Sequence, residues 1–317
     1  MNEQLLLLDQ AVQREKQERA ARELYEQEQR LRAVLLGSSY SQSPLAEEER
    51  VRIPVKKKGG GGSSFCFCGG SSKKHIDGLL AQRASSLGVI CCHPWGPVGG
   101  SMYDPNVVYV LNSFKSCTTL RFNFRSGIDF GITAANDLRD AIDYMLSAIE
   151  SPPQRVLLVG YSYGSLVVAD VAPEHDQVVA FAMLMPPLGV KSFLMGPPLL
   201  REDPTERARA SPKPKLMVIG THDQFCTRER FERWANTLQQ PARSVVMQGP
   251  LVEERGCGGC GHDHDHGHGE SLVERRQPVD HFNAFPFLEE TFAPWVQLAF
   301  GCPLEELGDS DGYAKQV

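Results

Sequence analysis

The chain has 317 residues, 41% of them hydrophobic, with a formal net charge of −6 and a pI of about 5.9. That is enough apolar material for one large core with attachments, and an acidic balance without a clustered basic face argues against nucleic acid as a partner. Residues 5–8, four leucines bracketed by Glu3 and Asp9, are too short for a signal segment or a membrane span; the nine cysteines are therefore expected as thiols and the chain in the cytoplasm.

Residues 1–37 are rich in Glu, Gln, Arg, Leu and Ala, with no Gly or Pro until Gly37, and predict a separate polar helical arm. Ala21, Leu24, Glu28, Leu31 and Leu35 fall at heptad spacing. Glu28 and the wholly polar run 13–19 break that seam, so a solvated or docking helix is expected ahead of self-association through this arm. Residues 38–75 read as a low-complexity linker in which 51–55 and 65–68 could form a first hairpin.

From 76 to 302 strand and helix patterns alternate, which predicts an α/β domain: a mostly parallel central sheet with helices on both faces. Strands are predicted at 88–92, 155–159, 215–220 and 243–247, and helices at 103–114, 136–149 and 287–299. Leu138, Ile142, Met145 and Ile149 form a helical stripe that belongs to the core. Residues 303–317 are a tail, and 251–277 an insertion.

Gly160-Tyr161-Ser162-Tyr163-Gly164 stands between the apolar strand 155–159 and a small-residue helix from 165. A serine flanked by glycines at a strand-to-helix turn is a nucleophile elbow, where the tight turn excludes Cβ atoms and presents the hydroxyl. A serine nucleophile needs a base and an acid downstream. Asp223 follows the strand 215–220 and is the candidate acid; His281 precedes the last amphipathic segment and is the candidate base. The loop 93–100 after the first apolar strand is rich in glycine and suits an oxyanion hole. Its donors are expected to be the N–H groups of Tyr163 and Trp95, since Pro94 and Pro97 have none.

With these residues in this order, residues 86 to 300 resemble the small, lid-poor α/β-hydrolases related to dienelactone hydrolase and Xaa-Pro dipeptidyl-peptidase-like domains. The carrying residues are His93-Pro94, Gly99-Gly100-Ser101-Met102, Leu120 through Arg125, Gly160 through Ser165, Gly220-Thr221-His222-Asp223 and Asp280-His281-Phe282. The resemblance implies the α/β-hydrolase fold, an esterase-like serine hydrolase, and Ser162, Asp223 and His281 as its triad. Three departures stand out. The elbow carries serine where a true dienelactone hydrolase carries cysteine, the loop after Arg125 is shorter, and the segment before His281 is far longer.

That longer segment holds Cys257, Cys260, His262, His264, His266 and His268, ligand types that zinc and other transition metals favour. Their regular alternation departs from structural-zinc spacing, and an insertion with incidental metal affinity is the expected reading. No cofactor is expected to be required. Two functions therefore stand: a serine hydrolase cleaving a small ester, thioester or activated amide through an acyl-enzyme, or an inactive hydrolase scaffold that binds partners or handles metal through the arm and the His-rich loop. The proline-punctuated stretch 186–214 leaves little room for a lid helix, which points to a small-molecule substrate in an open site.

Overall fold

The computed structural model describes residues 48–56, 75–126, 129–196, 202–249, 251–256, 271–276, 278–282, 288–302 and 306–307. The predicted arm 1–37, the strand 65–68 and the Cys/His run 257–268 lie outside them.

The core is an eight-stranded sheet built from β1 (Glu49–Pro54), β2 (His75–Ala81), β3 (Leu87–Cys92), β4 (Thr118–Phe122), β5 (Arg155–Tyr161), β6 (Val178–Leu184), β7 (Lys215–Gly220) and β8 (Ala242–Met247). Its order is β1-β2-β4-β3-β5-β6-β7-β8. From β4 to β8 every neighbouring pair is parallel; β1 and β2 join antiparallel at one edge. The apolar runs of β3, β5 and β7 follow from this, because helices cover both faces and every side chain of β3 and β7 is buried. A separate antiparallel pair, β9 (Leu251–Gly256) and β10 (Ser271–Arg276), stands between β8 and His281.

The strand expected at 51–55 is β1, which pairs with β2 in a register that sets Glu49 against Leu80 and Pro54 against His75; the other half of the predicted hairpin, 65–68, lies outside the described residues. Ile53 and Ile76 face each other, both buried, so apolar pairing selects the partner. No strand is predicted from the sequence at β2, β4 or β6.

Seven helices are described. α1 (Pro105–Asn112) starts where the Asp104 carboxylate accepts from the Asn106 N–H and Pro105 takes the first helical position. α2 (Ile132–Ser147) begins four residues before its predicted start and buries Leu138, Ile142 and Met145. α3 (Tyr163–Val171) is buried along its whole length behind the elbow. Among the described residues between β6 and β7 the helices are α4 (Lys191–Met195) and α5 (Pro204–Ala210), neither of lid length. α6 (Arg228–Ala235) and α7 (Leu288–Phe300) complete the set.

Candidate active site

Ser162 sits between the end of β5 and the first residue of α3, with φ 54° and ψ −120°. A positive φ in a residue with a Cβ costs of order 1–3 kcal/mol and persists only where the surroundings hold it. Here its N–H donates to the Leu184 carbonyl at 2.9 Å, and its own carbonyl accepts from the Ser165 N–H at 2.9 Å and the Ser165 hydroxyl at 2.6 Å. Gly164 lets α3 lie against the end of β3: a Cβ there would be 2.4 Å from the Cys92 carbonyl oxygen.

Asp223 follows β7 and is buried. Its Oδ1 accepts from the Phe225 and Cys226 N–H groups at 2.8 Å each, and its Oδ2 lies 2.7 Å from His281 Nδ1. His281 Nε2 lies 2.8 Å from Ser162 Oγ. The imidazole is 1% exposed, with the Phe225 ring edge-on at 4.6 Å. Residues 162, 223 and 281 thus form one continuous hydrogen-bonded chain.

His281 comes from outside the sheet, and cross-links hold its segment. Gly220 admits the Val279 carbonyl, which a Cβ would meet at 2.1 Å, and Val279 accepts in turn from the His222 N–H at 2.9 Å. The His281 N–H donates to Gln224 Oε1 at 3.1 Å, and its carbonyl accepts from the Tyr161 hydroxyl. Sequence reasoning missed Tyr161 and Gln224: one fills an unspecified position of the elbow motif, the other a turn.

Trp95 opens a 3-10 turn, Gly96–Val98, and its carbonyl accepts from the N–H groups of Val98 (3.3 Å) and Gly100 (3.0 Å). Its ring packs edge-on against Phe193 of α4 at 5.6 Å. His93 anchors this loop. Its Nε2 accepts the Phe124 N–H at 3.0 Å, so the ring proton is on Nδ1 and is donated to the Pro94 carbonyl at 2.5 Å. Burial pushes the His93 pKa down to about 4 and keeps the ring neutral. Beyond the turn, the Met102 N–H donates to Asn123 Oδ1 at 2.8 Å. An open cleft of about 470 Å³ lies between the two loops, bordered by His93, Gly100, Asn123, Arg125 and Tyr163. Arg125 is held by Asp137, to which its Nε donates at 2.7 Å.

The buried Cys226 thiol beside Asp223 is pushed up to about 12 by desolvation, and burial also raises Cys91 and Cys92, so these thiols stay protonated and unreactive. Ser162 is a nucleophile that the geometry sets beside a base which is itself held by a carboxylate.

A family model described as serine hydrolase matches residues 132–262, a stretch that includes Ser162 and Asp223. The fold is shared with an α/β serine hydrolase homologue from Coxiella burnetii, at 19% identity and a TM-score of 0.52, covering 79% of this chain and 97% of that one. It is shared equally with an α/β serine hydrolase without a lid from Xanthomonas campestris, at 19% identity and a TM-score of 0.54, covering 80% and 97%. The chain has the α/β-hydrolase fold, and its residues 132–262 are similar to the serine-hydrolase family. A third similar structure, an esterase from Pyrococcus furiosus, aligns with this chain at 13% identity and a TM-score of 0.55 over 79% of this chain and 92% of its own. No curated protein sequence matches.

The other candidate residues, Cys257, Cys260, His262, His264, His266 and His268, lie outside the described residues. Among those described, no group of three or more His, Cys, Asp or Glu side chains could hold a metal ion. No helix among them is long and apolar enough to cross a membrane.

Proposed function

We propose that the protein is an esterase-like hydrolase that cleaves a small ester, thioester or activated amide through a covalent acyl-enzyme on Ser162. The observation that carries this reading is the hydrogen-bond chain from Ser162 Oγ through His281 to Asp223, at 2.8 and 2.7 Å, starting from a strained elbow. His281 Nε2 takes the serine proton as Oγ attacks the substrate carbonyl. Asp223 holds the other ring proton at Nδ1 and stabilises the imidazolium. His281 then passes its proton to the leaving alcohol, thiol or amine as the bond to the carbonyl carbon breaks. A water molecule repeats the sequence, giving up a proton to His281, and frees the acid and Ser162.

The carbonyl oxygen that gains charge lies, in this mechanism, against the N–H groups of Tyr163 and Trp95. Tyr163 opens α3, where the helix dipole favours negative charge. Trp95 opens the turn that His93 anchors. The open cleft and the two short helices between β6 and β7 favour small or extended soluble substrates.

The test is labelling with a fluorophosphonate together with turnover of p-nitrophenyl esters. Wild type should label and turn over, Ser162→Ala should do neither, and His281→Ala should label far more slowly. A folded wild type that neither labels nor turns over any ester or thioester would overturn the reading.

A further inference from the structure

Chain continuity does little to place His281. Residues 248–280 separate it from β8 and include the β9–β10 pair. Its imidazole must nonetheless sit within hydrogen-bonding distance of both Ser162 and Asp223 at once. The Val279 carbonyl, two residues before it, is anchored to the His222 N–H; past that anchor the ring contacts alone leave the His281 backbone free to pivot, and a small pivot at Cα becomes a larger displacement at Nε2.

Two side chains hold that backbone, and each is the sequence neighbour of a residue that His281 must reach. Gln224, next to Asp223, accepts the His281 N–H; Tyr161, next to Ser162, donates its phenolic proton to the His281 carbonyl. The two differ in surroundings. Gln224 is exposed, so water can take over its role. Tyr161 is 1% exposed and its hydrogen bond is buried, so water has no ready access to the carbonyl if the hydroxyl is lost. The Tyr161 ring also lies 5.8 Å from the imidazole, inclined at 32°, and supports it from the β5 side.

We propose that the Tyr161 hydroxyl is the positioning group that ties the base to the nucleophile, a rigid strut from the residue before Ser162 to the backbone of His281. The strut makes the Ser162–His281 distance a property of β5. The route the chain takes from β8 then matters little, which explains how a long insertion is accommodated immediately before the base. The inference rests on the serine-hydrolase reading, because only a proton transfer from Ser162 needs that distance held.

Tyr161→Phe isolates the hydroxyl, since phenylalanine keeps the ring. Expected is a fall in kcat for a p-nitrophenyl ester of about 10- to 100-fold, the scale of a misplacement of about 1 Å, with KM within about twofold. Fluorophosphonate labelling should slow by the same factor. In a His281→Ala background, adding Tyr161→Phe should lower the residual rate by less than about twofold, because the group it positions is gone. A Tyr161→Phe enzyme that keeps kcat within about twofold of wild type, or a loss of equal size in the His281→Ala background, overturns the proposal. A melting temperature lowered with kcat intact would show a role in packing alone, and also overturns it.

If wild type proves inactive, the catalytic reading fails separately, and the strut is read by NMR. The downfield proton shared by His281 and Asp223, assigned by its absence in His281→Ala, should broaden or shift in Tyr161→Phe. Its persistence unchanged overturns the strut.

Discussion

Replacing Asp223 with asparagine would separate the charge of this side chain from its geometry. Oδ1 accepts two backbone N–H groups, from Phe225 and Cys226, at 2.8 Å each. In Asp223→Asn the amide oxygen must keep that place, since an NH₂ there would set donors against donors. The NH₂ then faces His281 Nδ1, which the wild-type carboxylate approaches at 2.7 Å. Nδ1 has to accept, the ring proton moves to Nε2, and Nε2 faces Ser162 Oγ with no lone pair to take its proton. The one escape is to flip the amide and leave the two buried N–H groups unmatched. At about 1–3 kcal/mol per unmatched group this costs roughly 2–6 kcal/mol. With a factor of ten for every 1.4 kcal/mol, the active arrangement falls by between about 30-fold and 10⁴-fold. The assay is kcat for a p-nitrophenyl ester and the rate of fluorophosphonate labelling, with thermal unfolding to show that the variant is folded. Activity within about threefold of wild type would refute the reasoning, because the tautomer would then be immaterial.

Two further outcomes follow from buried groups. Burial holds His93 at about 4 against 6.5 in an unfolded chain; the unfolded state takes up the proton first, so stability is full above pH 6.5 and falls toward pH 4 by about 3 kcal/mol in all. Urea titrations should show that slope in wild type and its loss in His93→Gln, which keeps an acceptor for the Phe124 N–H; parallel curves would contradict it. Glu48 and Arg121 form a bidentate pair with both side chains 1% exposed, and Arg121 also donates to the Met102 carbonyl at 2.8 Å. Glu48→Ala should cost about 3–5 kcal/mol by stranding the guanidinium, and Arg121→Met in the same chain should restore much of it; equal denaturation midpoints for Glu48→Ala and wild type would rule this out.

What could be read from the sequence follows the physics of burial. β3, β5 and β7 are covered on both faces, so their apolar runs announce them without any knowledge of their neighbours. β2 gives no such signal. Its Asp77 is exposed and its Gly78 weakens strand propensity, and it becomes a strand because β1 and β4 flank it. β4 is masked by the charge of Arg121, which is buried because Glu48, just before β1 and two strands away, meets it. Ser162, Asp223 and His281 were legible because each stands at a strand end or turn with its own local pattern. Tyr161 was not: its partner is 120 residues away, and a hydrogen bond of that span leaves no local trace. His93 appeared as a carrier of resemblance, while its bond to the Phe124 N–H depends on two loops meeting in space.

The Cys/His run offers the sharpest test of whether the base is placed by cross-links or by the chain that leads to it. Gly256 and Ser271 are paired residues at the ends of β9 and β10, so residues 257–270 connect two strands already in register. Replacing those residues with a two-residue Asn-Gly turn keeps the hairpin's geometry, because such turns match the twist of paired antiparallel strands. The ties that reach His281 all start elsewhere: Tyr161 on β5, Gln224 and Asp223 after β7, and the bond between the His222 N–H and the Val279 carbonyl. The shortened protein should therefore keep kcat within about twofold of the full chain, with the same response to zinc or to a chelator before and after excision. A loss of tenfold or more in a folded variant, or an activity that zinc controls only while the loop is present, would mean that residues 257–270 help to set the base, and that the cross-links are insufficient alone.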